Sequence, residues 1–142
     1  MADQTGASSA ELLPHRGTAR LLSEIVRWGE DFIEGIGIVP AAHPLASVEG
    51  APCFLGLELG AQAAAALEAL GRAALTGDQV PRPGFLVRVH EATFLMSDLP
   101  LETPLFVTAH LEGAAPPLAI YRMSVSVDGT EFMRARLSTY RS

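Results

Sequence analysis

The stretch PCFLGLELGAQAAAALEALGRAAL, residues 52 to 75, decides how the rest of the chain must be arranged. Alanine and leucine dominate it, and both are strong helix formers. Pro52 suits a first helical turn, where its missing N–H costs nothing, and Gly77 suits the stop. Leu55, Leu57, Leu59, Ala61, Ala63 to Ala66, Leu67 and Leu70 leave little polar face, so this helix is expected to be buried. Glu58, Gln62 and Glu68 interrupt the apolar run and keep it from reading as a membrane span.

Strand-like segments flank the helix on both sides. Arg20 to Trp28 and Phe32 to Val39 are separated by the turn residues Gly29, Glu30 and Asp31, which predicts a β-hairpin. Residues 40 to 52 hold three prolines and one glycine, a loop of functional length. After a Pro/Gly-rich connector from Asp78 to Gly84 come four more runs: Phe85 to Met96, Leu105 to Leu111, Leu118 to Val127 and Glu131 to Tyr140. Asp128-Gly129 is a strong hairpin signal between the last two. A lone apolar helix is covered only if a sheet wraps around it, so the expected fold class is α+β, with one long central helix inside an antiparallel sheet of about five to six strands.

The length of 142 residues suits one domain, expected over residues 11 to 142, with residues 1 to 10 as a disordered lead-in. Apolar residues make up 49% and charged residues 18%, more apolar material than a small monomer covers, which predicts a subunit interface. A formal charge of −6 speaks against nucleic acid as a partner. All ten basic residues are arginine, and without lysine neither Schiff-base chemistry nor a P-loop is available. Cys53 is the single cysteine, so no internal disulfide forms, and a reducing compartment fits. With no leader-like N-terminus and no spanning segment, the expectation is a soluble, cytoplasmic protein.

Three segments resemble bacterial 3-hydroxyacyl-ACP dehydratases, which have the hotdog fold: Leu13-Pro14-His15-Arg16 before the first strand, Ala42-His43-Pro44 in the loop, and Pro52 through Gln62 at the helix start. Within that superfamily the chain is most similar to the dehydratase-like group of aryl-polyene pathways, through the Leu-Pro-His opening, Leu57-Glu58-Leu59-Gly60-Ala61-Gln62, and the ending Arg136-Leu137-Ser138-Thr139-Tyr140. The resemblance spans about residues 12 to 140. It departs where Cys53 replaces a glycine and where His43 lies one residue farther from the acid than the classical loop histidine.

The resemblance implies dehydration of 3-hydroxyacyl thioesters of an acyl carrier protein or CoA in fatty-acid or polyketide-type synthesis, by a homodimer or a heterodimer with a related hotdog subunit. The acid of one subunit would face a histidine of the other, with no metal or organic cofactor required. Such a reaction needs a base for the α-proton, an acid for the departing hydroxyl and donors for the thioester oxygen. Glu58, His43 and His15 are the candidate catalytic residues. Burial in an apolar helix would favour protonated Glu58, as a general acid requires. His43 is expected to work with Glu58, and His15, beside Pro14, to act mainly through stability. Cys53 and Phe54, whose N–H groups lie at the expected helix start, are counted as substrate-binding residues together with Gln62, Gly84 and Phe85. Gln62 either orients Glu58 or pairs within a dimer. His90 and His110 are expected to be structural. Two rival readings remain: a hotdog thioesterase, and a non-catalytic partner subunit of a dehydratase heterodimer.

Overall fold

The computed structural model describes residues 4–8, 17–77 and 84–141. Two strands, β1 (Gln4–Ser8) and β2 (Leu22–Trp28), precede β3 (Phe32–Gly37), and a single 3-10 turn (Gly17–Ala19) leads into β2. A short β4 (Ala51–Pro52) runs into the helix α1 (Leu55–Thr76). Then follow β5 (Gly84–Phe94), a short β6 (Asp98–Leu99), β7 (Leu105–Ala115), β8 (Leu118–Val127) and β9 (Thr130–Arg141). Seven strands form one antiparallel sheet in the order β1-β2-β3-β7-β8-β9-β5, and β4 pairs with β6 as a separate ribbon. Six of the seven correspond to the expected strand runs.

The seventh, β1, lies within the stretch expected to be a disordered lead-in. Its composition is small and polar, but an edge strand is held by backbone bonds to its neighbour, here pairing Gln4 with Trp28 through Ser8 with Glu24.

The helix packs on one sheet face. Leu105, Val107 and Ala109 of β7, Tyr121, Met123 and Val125 of β8, and Met133, Ala135 and Leu137 of β9 alternate inward and are buried. Close approach depends on Gly56 and Gly60, one turn apart on the helix. A Cβ at Gly56 would lie 2.9 Å from Met133 Sδ, and one at Gly60 would lie 2.5 Å from Met123 Cε. Each glycine thus seats a methionine of the sheet. The last turn differs from expectation: Leu75 is 82% exposed, so the helix runs past the edge of what the sheet covers.

Both helix ends have local causes. Gly77 closes the C-terminus at φ 75°, its N–H donating to the Ala73 carbonyl at 2.9 Å. At the other end the expected start at Pro52 is displaced to Leu55. Ala51 and Pro52 pair with Leu99 and Asp98, and the Cys53 N–H donates to the Ser97 carbonyl at 3.0 Å, so the chain stays extended to that point. Asp128 and Gly129 take positive φ values of 49° and 80° in the β8–β9 turn, as their dipeptide predicts.

Candidate active site

Glu58 sits in the first turn of α1 and is half-buried. Its neighbour four residues on, Gln62, is wholly buried, which an amide tolerates only when its hydrogen bonds are made. Gln62 Oε1 accepts from the Leu21 N–H at 2.8 Å and the Leu22 N–H at 3.0 Å. Its Nε2 donates to the Ala19 carbonyl at 2.7 Å and to Glu58 Oε1 at 3.2 Å. One side chain therefore joins the carboxylate of the helix to the segment that opens β2.

The helix start offers fewer backbone donors than expected. Of the two expected groups, the Cys53 N–H is committed to Ser97, because β4 and β6 draw the chain together there. Among the described residues the Phe54 N–H has no acceptor, and the Phe54 side chain is exposed. Cys53 itself is buried, its thiol facing the Phe132 carbonyl at 3.6 Å. Burial, and then the nearby negative charge of Asp98, push that thiol above its ordinary range. A neutral, enclosed thiol is a poor nucleophile.

His43 lies half-buried in the loop before β4. Its N–H donates to the Pro40 carbonyl at 3.0 Å, and its ring Nδ1 accepts from the Leu45 N–H at 3.0 Å. Among the described residues its hydrogen bonds stay within its own loop and none reaches Glu58. His15 lies outside the described residues. Gly84 and Phe85 open the edge strand β5, opposite Arg141 and Tyr140. His90 faces Ser138, and His110 stacks on Phe32 on the sheet face away from the helix, at a centroid separation of 6.3 Å.

Sequence reasoning did not single out a second polar pair beside the helix. Tyr121, 1% exposed, donates its hydroxyl to Glu68 Oε1 at 2.9 Å. Glu68 was visible as an acid in an apolar run, but nothing in the β8 sequence marks Tyr121 as its partner. Among the described residues no group of three potential ligands is placed to hold a metal ion, and no described helix is long and apolar enough to cross a membrane.

A family model described as "ApeP-like: ApeP dehydratase" matches residues 7–142. No curated protein sequence matches the chain. Among solved structures, the dehydratase heterocomplex ApeI:P from Xenorhabdus doucetiae aligns at a TM-score of 0.86 with 17% identity, covering 96% of this chain and 91% of that one. A hypothetical thioesterase with coenzyme A from Streptococcus pneumoniae TIGR4 aligns at 0.59 with 11% identity, covering 83% and 84%. A mutant thioesterase from Pseudomonas aeruginosa aligns at 0.55 with 14% identity, covering 82% and 78%. One helix held against an antiparallel sheet, shared with these proteins, is the hotdog fold.

Proposed function

The chain belongs to the ApeP-like dehydratase family, and from that premise we propose that it removes water from 3-hydroxyacyl thioesters carried by an acyl carrier protein or CoA. The observation that carries this reading is Glu58, held through one oxygen by Gln62 and set in the first helical turn beside the open Phe54 N–H. A base takes the α-proton, the Cβ–O bond breaks, and Glu58 gives its proton to the departing hydroxyl, yielding the 2-enoyl thioester and water. The Phe54 N–H, at the positive end of the helix dipole, suits the thioester oxygen as charge develops there.

For the base we assign His15 ahead of His43, reversing the expectation from spacing. In the sequence His15 stands four residues before Ala19, whose carbonyl accepts from Gln62 Nε2. His43 has its Nδ1 engaged by its own loop.

The partner we assign is a second hotdog subunit docked along β5. That strand is one edge of the sheet, and Val87, Val89, Phe94, Leu95 and Met96, from β5 and the turn after it, are exposed. The similarity to a heterocomplex supports a related rather than identical partner. The test is to incubate the protein, alone and with a candidate hotdog partner, with 3-hydroxyacyl and 2-enoyl thioesters, following hydration state and free thiol. Interconversion without thiol release is expected. Thiol release would mean a thioesterase, the reading that the similarity to thioesterases favours. Silence from this chain beside an active partner would mean a non-catalytic subunit.

A further inference from the structure

The sheet face turned away from the helix carries a second group of polar side chains. Val107, Ala109, Met123, Val125, Met133 and Ala135 are buried under the helix, so the residues that alternate with them along β7, β8 and β9 point outward. Register then decides which of these meet. Thr108 stands opposite Ser124, Ser124 opposite Arg134, and His110 opposite Arg122. Side chains paired in this way start about 5 Å apart. Together with Glu131 these five line a hollow of about 240 Å³, room for roughly eight waters at about 30 Å³ each. Its walls carry two guanidiniums against one carboxylate, in a chain whose formal charge is −6.

The donors in the hollow are only partly used. Arg134 donates through Nη1 to Glu131. Glu112 lies between Arg122 and Arg136, but it is Arg136 whose Nε donates to it at 2.8 Å, while Arg122 stays at 3.5 Å. A guanidinium carries more N–H donors than one carboxylate oxygen takes up, so Arg122 and Arg134 both keep donors for a ligand. Thr108 and Ser124 share one hydrogen bond at 2.9 Å, and whichever hydroxyl accepts it retains its own hydrogen for an acceptor. The His110 ring is held by its stacking on Phe32, over which the Arg27 guanidinium lies at 4.8 Å. We propose that this hollow binds the phosphate group of a small phosphate monoester. A carboxylate is planar and is satisfied by the fork of a single arginine. Here the donors come from three adjacent strands, which suits a tetrahedral anion with several acceptor oxygens, and the remaining volume takes the organic group. The helix that carries Glu58 packs on the opposite face of the sheet, so this site is separate from the candidate active site.

The test is a titration of the 15N-labelled full chain with glycerol phosphate, with inorganic phosphate and acetate in parallel, all at one ionic strength so that screening is constant. Glycerol phosphate should give saturable shifts at the amides of Thr108, His110, Arg122, Ser124 and Arg134 and leave those around Glu58 in place. Acetate should give no saturable shift there. Arg122→Gln and Arg134→Gln should each weaken binding of the ester at least about tenfold, the scale of one charge-assisted hydrogen bond. The proposal is overturned if the ester gives no saturable shift, if acetate matches it, or if its affinity is unchanged in either variant. Saturation by inorganic phosphate without saturation by the ester would mean an adventitious ion only, and overturns it as well. If a variant does not fold, the comparison of ester with acetate in the wild type still decides.

Discussion

At the scale of single residues the proposed chemistry rests on Glu58 and the groups around it. Glu58→Gln should fold normally, since a neutral isostere keeps the packing, and lose at least about a hundredfold in turnover, the scale of one acid–base group. His15→Ala should lose a similar factor while His43→Ala stays near normal; the opposite pattern in the same assay would return the role to His43. Cys53 gives a stability prediction with a definite sign. Its folded-state thiol titrates above the ordinary range, so its contribution is complete below the unfolded thiol pKa of about 8.5 and is lost as pH rises through the folded value. Thermal unfolding followed above neutral pH should show the wild type losing ground to Cys53→Ala as the solution becomes alkaline. An unchanged gap would mean that the thiol does not titrate differently on folding. The acid and its amide partner were legible in the sequence because two polar residues one turn apart stand out in an alanine-rich run. The commitment of the Cys53 N–H was not, because the Ser97 carbonyl that takes it lies forty-four positions away and no local pattern announces the pairing.

At the scale of elements, helix and strands follow from propensity and period, while the boundaries follow from tertiary contacts. The helix stop at Gly77 is a local property and was legible; its start was moved by the ribbon of β4 and β6, which is not local. That ribbon depends on Gly50, which has a φ of 121° and whose added Cβ would lie 2.5 Å from the Leu99 carbonyl oxygen. Neither the backbone angle nor the backbone neighbour yields cheaply, so Gly50→Ala should cost roughly 1–3 kcal/mol in denaturant unfolding. Tyr121→Phe should cost about 1–3 kcal/mol by removing a hydroxyl that meets a carboxylate beside the core. A loss below a few tenths would mean that Glu68 finds an equivalent donor. In β2 the inward residues Leu22, Ile25 and Trp28 recur at every third position rather than every second, because the pairing with β3 shifts register twice along its length. That irregularity is why the segment reads less cleanly from sequence than β8 does.

For the whole molecule, the antiparallel wrap was legible because a helix with so little polar face leaves few other architectures, yet the sheet order was not, since strand neighbours are set by closure around the helix. Part of the apolar excess is exposed on β5, where Val87 is 57% exposed at one edge of the sheet. Val87→Glu with Val89→Glu should weaken association, read as a lower mass by sedimentation at micromolar concentration, while leaving the fold intact. Unchanged mass would place the interface elsewhere. The bonds from Leu21 and Leu22 to Gln62 have a consequence of another kind. Both amide protons end on a buried side chain whose anchor lies some forty residues along the chain, so they are released only when helix and strand part. Their exchange with deuterated solvent therefore clocks the opening of the molecule at the point where the acid is aligned, so slow exchange there certifies an intact site without any substrate being present.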